Sequence, residues 1–210
     1  MSSHPGTILC LDTSAGTAVA LVTPAGIARR SHANPRGHAE SLAPLIADLT
    51  DLTGVEAIAV GTGPAPFTGL RVGIATARTL GAARDLPVYG VSVLDAIARQ
   101  AFDTDPSCPR VTVVTDARRR EVYSATFAPR GEHDVECLTG PDVLAPAALV
   151  ERLTPEDVVV GAVHLMDPAV QARPLDLDVA TLARLVRARL AAGVQLPTNP
   201  LYLREPDIHR

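Results

Sequence analysis

Two short stretches carry residue types that could do chemistry. The first is Asp12–Thr13–Ser14, a carboxylate at the end of the apolar run Ile8–Leu11 followed by two hydroxyls. Such a group can hold a hydrated magnesium ion or a phosphate. The same residues also make an Asx-type turn that closes a hairpin, and on sequence alone that turn is the stronger reading. The second stretch is GTGPAPFTGLRVGIATARTLG, Gly61 to Gly81, a glycine-rich loop that runs into a helix. Free amides at a helix start attract anions; Thr68 is placed to cap this one and Arg71 lies in its first turn. Pro66 has no amide hydrogen, however, and Ala65 resists positive φ, so the loop is poorly built as an anion nest. Gly73, Ala77 and Gly81 recur every fourth residue and make a shallow groove along one helix face. Glycine costs about 1 kcal/mol relative to alanine inside a helix, so its presence asks for a packing reason. The segment is therefore expected to hold another helix rather than a phosphate.

Other chemistry is thinly represented. The six histidines (His4, His32, His38, His133, His164 and His209) never pair at a spacing of three or four, and there is no HExxH, so no metal site is expected. His38, beside Glu40 and Ser41, reads as a helix-start residue rather than a base. There is no GxSxG, and Cys10, Cys108 and Cys137 stand far apart, as idle thiols of a reducing compartment would. The run Arg118–Arg120 could touch RNA phosphate but reads first as a solvated hairpin tip. In VVVGAVHLM only Gly161 is present where an actin-like ATPase usually has a glycine pair close to adenosine.

The elements that must position these residues follow a plan that occurs twice. Thr7 to His32 reads as three short strands, and HAESLAPLIADLTDLTG as a helix with Leu42, Leu45, Ile46, Leu49 and Leu52 at helical spacing, spanning Ser41–Leu52. EAIAVG is a buried strand, Leu70–Ala83 a helix, PVYGV a strand and Leu94–Phe102 a helix. Val111 to Leu138 then repeats strand, Asp, turn, strand, turn, strand, with Asp116 in the place of Asp12. A short helix near Ala147–Arg152, a strand at Asp157–Val160 and a helix at Val179–Ala192 complete the second half. This is an α/β chain of two ribonuclease-H-like lobes, the architecture of actin-like ATPases (ASKHA type), here degenerate. The expected lobes are residues 1–103 and 104–210, with the boundary in the polar, proline-bearing DTDPSCPR.

Composition narrows the function classes. The chain has 210 residues and 47% apolar content, enough for a real core. No apolar run approaches the ~20 residues of a membrane span, and MSSHPGTILC has no basic region followed by a long apolar stretch, so a cytoplasmic protein is expected. All 19 basic residues are arginine, which removes every lysine-based mechanism. A net charge of -4 argues against a chain that grips nucleic acid by itself.

ILCLDTS with AVALV, HAESLAPLI, GPAPFTGLRVG, DARRREVY and PLYLR together resemble the TsaB (YeaZ) family, which serves threonylcarbamoyladenosine synthesis in bacterial tRNA. The resemblance runs over nearly the whole chain. It implies a degenerate actin-like protein without a cofactor that pairs with the metal-bearing transferase TsaD, is joined by the ATPase TsaE, and self-pairs when alone. Transfer RNA is met only through the complex. The paired metal histidines of TsaD would follow Pro87–Val91, where this chain reads VSVLDAIA. The expected partner interface comprises Leu42, Leu45, Ile46, Leu49, Arg71, Gly73, Ala77 and Gly81; Asp12, Thr13 and Ser14 are a degenerate phosphate-binding loop. The remaining readings are a small actin-like ATPase or kinase, and a peptidase. Two positions depart from the family pattern: Ala65 and Pro66 replace the glycine and serine of GPGSFTGLR, and Arg120 stands where the hairpin usually has glycine.

Overall fold

The computed structural model describes residues 4–32 and 38–204, with the backbone alone described at 38–40. Five strands of the first half form one sheet: β1 (Ile8–Asp12), β2 (Thr17–Thr23), β3 (Gly26–His32), β4 (Ala57–Gly61) and β5 (Val88–Val91), in the order β3-β2-β1-β4-β5. β1, β2 and β3 are an antiparallel meander, and β4 and β5 add to β1 in parallel. β1 and β4 are buried throughout, which is why ILCLD and AIAVG are near-continuous apolar runs. β3 is an edge strand exposed along its whole length, and its two arginines discourage pairing with another chain.

The second half repeats this. β6 (Arg110–Asp116), β7 (Val122–Arg130), β8 (Asp134–Leu144), β9 (Asp157–Gly161) and β10 (Ala172–Pro174) form a sheet in the order β10-β9-β6-β7-β8. Its strand directions match those of the first sheet. β10 is the one strand the sequence does not announce, because three residues are too few to show alternation.

Helices cover both sheets, but not half by half. α1 (His38–Ala47) and α2 (Phe67–Arg84) pack on one face of the first sheet through Leu42, Ile46, Leu70, Ile74 and Ala77. The other face of that sheet is covered by α5 (Thr181–Ala191), from the end of the chain, through Leu182, Leu185 and Val186. α3 (Val93–Thr104), the last helix of the first half, instead buries Leu94, Ile97 and Phe102 on the second sheet. α4 (Pro146–Val150) contributes Leu149 to a smaller cluster on that sheet's opposite side. The halves have thus exchanged helices.

Helix boundaries depart most from expectation at α1 and α2. α1 ends at Ala47, not Leu52. Leu49 and Thr50 turn back onto the Ile46 carbonyl, Leu52 has φ 73°, and Asp51 accepts the Thr53 amide, a local bond that competes with helix continuation. α2 starts at Phe67, so Thr68 lies inside it and caps nothing; the N-cap position is Pro66, without a side-chain bond.

Candidate functional site

β1 delivers Asp12 to a position 3% exposed, with its carboxylate against Gly61 of β4 and close to Val93 at the start of α3. Ser14 donates to the two carboxylate oxygens from its amide at 2.9 Å and its hydroxyl at 2.8 Å. Burial is the dominant influence on this carboxyl and pushes its pKa up to about 6, against the lowering effect of the two Ser14 bonds. The Thr13 hydroxyl donates to the Gly69 carbonyl at 2.8 Å. Gly73 makes that contact feasible, since a Cβ there would lie 2.4 Å from Thr13 Oγ1. Asp12, Thr13 and Ser14, the candidate phosphate-binding residues, are engaged within their own lobe: Asp12 and Ser14 close an Asx turn and Thr13 ties β1 to α2. The second lobe repeats the motif: Asp116 accepts the Arg118 amide at 2.7 Å and pairs with the Arg118 guanidinium at 3.1 Å.

The α2 stripe is a correction. Gly73, Ala77 and Gly81 face their own sheet and are buried, Ala77 completely. A Cβ at Gly81 would come within 2.4 Å of Val88 Cγ2. The small residues let α2 lie close on the strands, so they offer no groove to a partner. Leu42 and Ile46 belong to the same core, whereas Leu45 and Leu49 are half-buried at its margin. Arg71 is exposed, its guanidinium 3.7 Å above the Phe67 ring. The outward side of α2 is formed by Thr68, Val72, Ala75, Thr79 and Ala83, a small and uncharged surface beside Leu45 and Leu49. Position 38 gives no side-chain account, since the side chain of His38 lies outside the described residues.

The C-terminal segment was not legible as part of any site, because it has no periodicity. It returns to the first lobe: the Gly90 amide donates to the Leu196 carbonyl at 3.0 Å, Leu201 donates to Thr62 at 2.8 Å, and Arg78 holds Thr198. Gly90 permits the approach, as a Cβ there would lie 2.3 Å from the Pro197 carbonyl oxygen. The strap brings Tyr202 to Phe67, with ring centroids 4.9 Å apart, and the Tyr202 hydroxyl accepts from Arg71 at 2.8 Å. Arg204 pairs with Glu121 of the second lobe. Phe67, Tyr202 and Arg204, with Ala117, Arg118 and Arg119 of the β6–β7 hairpin, line a cavity of about 160 Å³ between the lobes.

The protein-family model described as "TsaD: tRNA N6-adenosine threonylcarbamoyltransferase" matches residues 31–191. TsaB of Escherichia coli, described as a tRNA threonylcarbamoyladenosine biosynthesis protein, is 32% identical, with 73% of this chain and 70% of that protein covered. The chain belongs to the TsaB (YeaZ) family. An uncharacterized protein of Mycobacterium tuberculosis is 40% identical over 96% of this chain and 93% of its own length. YeaZ from Pseudomonas aeruginosa superposes with a TM-score of 0.77 at 30% identity, covering 94% of this chain and all of that one. A second Pseudomonas aeruginosa structure, described as having similarity to peptidase YEAZ, gives 0.78 at 29% identity over 95% of this chain. With its two like sheets, this TsaB-family chain has the two-lobe actin-like fold. Among the described residues no group of three or more His, Cys, Asp or Glu side chains could hold a metal ion, and no helix is long and apolar enough to cross a membrane.

Proposed function

We propose that the chain serves threonylcarbamoyladenosine synthesis in tRNA as a non-catalytic cytoplasmic subunit, without a cofactor, that pairs with a TsaD-type transferase. The observation that carries this is its relatedness, over most of both chains, to E. coli TsaB, described as a tRNA threonylcarbamoyladenosine biosynthesis protein. The site chemistry supports it. Asp12, Thr13 and Ser14 are engaged within their own lobe, and VSVLDAIA supplies no histidine where the transferase would need its pair. The partner surface in this reading is the outward face of α1 and α2, with Leu45, Leu49 and Arg71 kept from the sequence reading and Val72, Ala75 and Thr79 in place of the buried stripe. A second copy of this chain competes for that face, and a TsaE-type ATPase joins the pair. The lobes divide at 103/104 as far as strands are concerned.

Depletion of the protein, followed by nucleoside analysis of digested tRNA, tests the proposal. Threonylcarbamoyladenosine should fall, and re-expression should restore it; an unchanged level would refute the role. Cleavage of a general protein substrate by the pure chain would refute the non-catalytic assignment.

A further inference from the structure

The three arginines of the β6–β7 hairpin have no part in the reading above. They are also the most strained run in the described chain: Arg118, Arg119 and Arg120 all adopt left-handed backbone, with φ of 63°, 55° and 61°. L-residues visit this region at a cost, and consecutive ones persist only where the surroundings hold them. Here the Asp116 Asx turn and the Glu121 amide donating to the Arg118 carbonyl hold the loop. The consequence is a hairpin that projects toward the start of α2 and the C-terminal strap. Three arginines line the resulting cleft (Arg118, Arg119 and Arg204) and Arg71 lies against its Phe67 and Tyr202 walls, facing Asp116 and Glu121, in a chain whose net charge is -4. Aromatic rings line the same cavity: Phe67, Tyr202 and Tyr123.

We propose that this inter-lobe cleft docks single-stranded RNA, with backbone phosphate on the Arg118–Arg120 hairpin and a base beside Phe67 and Tyr202. Arginine fixes phosphate through its planar fork, and unpaired bases stack on aromatic rings. A cavity of about 160 Å³ has room for one base, with its sugar and phosphate outside. The cations extend beyond it, since Arg118 is 61% exposed, and a single free phosphate would reach only part of the array. The negative surface elsewhere repels RNA and confines the contact to this cleft. Naming tRNA as the natural source of the strand rests on the proposed function; the cleft chemistry does not.

The test uses the full chain and a labelled short oligoribonucleotide at low salt, read by fluorescence anisotropy. Saturable binding is expected. Arg118→Glu with Arg119→Glu should weaken it at least about tenfold, and should lower the slope of log affinity against log salt by about 0.7 for each phosphate no longer neutralised. Arg84→Glu with Arg130→Glu, an equal charge change at exposed residues away from the cleft, should leave it within about twofold. Photo-crosslinking of the unaltered chain, mapped by mass spectrometry, should mark Phe67, Tyr123 or Tyr202, and needs no variant to fold. Equal loss in both variant pairs, crosslinks outside the cleft, no binding at low salt, or adenosine monophosphate binding as tightly as the strand would each overturn the proposal. Loss of tRNA modification on depletion with no RNA binding here would overturn the cleft proposal and leave the subunit role standing.

Discussion

At the scale of single residues, Asp12 is the most consequential side chain in the first lobe. Its carboxyl is 3% exposed and no cation pairs with it among the described residues, so burial outweighs the two Ser14 bonds and raises its pKa to about 6. Between about pH 4 and pH 6 the folded chain binds a proton here that the unfolded chain does not, so this group's contribution to stability falls as pH rises through that window. Above it the buried charge costs on the order of 3 kcal/mol relative to a neutral group. Asp12→Asn keeps an acceptor for the Ser14 amide and removes the charge. The variant should gain stability over the parent at pH 8 and lose most of that gain at pH 4, measured by urea unfolding at both values. An equal difference at the two pH values would mean that the carboxyl is not buried as a charge.

At the scale of elements, α2 shows what a helix-period pattern can and cannot disclose. Spacing identifies Gly73, Ala77 and Gly81 as one close-packing face but is silent on which neighbour it meets, a partner's helix or the chain's own strands. The neighbours are the Thr13 loop and β5, so Ala77→Arg should unfold the chain, at a cost above about 4 kcal/mol, because it forces a charge into a filled core. Ala75 is on the outward side, and Ala75→Arg should keep the melting temperature while weakening co-elution with a TsaD-type partner at least about tenfold. Co-elution at parental affinity would move the interface off this face. Most of the fold was legible for the same reason that this orientation was not. β1, β4, β6 and β9 are apolar runs ending at turns, and α2, α3 and α5 have clear periods. Alternation and period are properties of one segment. The early end of α1, set by Asp51 and Leu52, the three-residue β10 and the strap through Tyr202 depend on local hydrogen bonds or on distant partners. The candidate site divides in the same way: the Asx turn at Asp12 is written in adjacent residues, whereas the cleft exists only because Tyr202 and Arg204 return to meet residues 67 and 121.

At the scale of the whole molecule, the two lobes are separate as sheets and joined as cores. α3 leaves the first half to cover the second sheet, and α5 returns from the second half to cover the first. The crossing is pinned by Arg189 of α5, which pairs at 2.8 Å with both Asp95 of α3 and Asp134 of β8. All three are largely buried, so removing one partner would strand the others. A cut at 103/104 therefore severs no strand from its sheet yet removes from the first lobe the whole apolar cover supplied by Val179, Leu182, Leu185 and Val186. Each such side chain contributes about 1.5–3 kcal/mol on burial, or roughly 6–12 kcal/mol for the four, comparable to the whole stability of an ordinary domain. Residues 1–103 expressed alone should fail to fold cooperatively, and so should residues 104–210, which lack the α3 face of Leu94, Ile97 and Phe102. Co-expressed, the two fragments should assemble into a complex with the circular dichroism and melting transition of the intact chain. Independent folding of the first fragment, seen as a sharp thermal transition and a dispersed amide spectrum, would show that α5 is dispensable and that the lobes are ordinary domains joined in series.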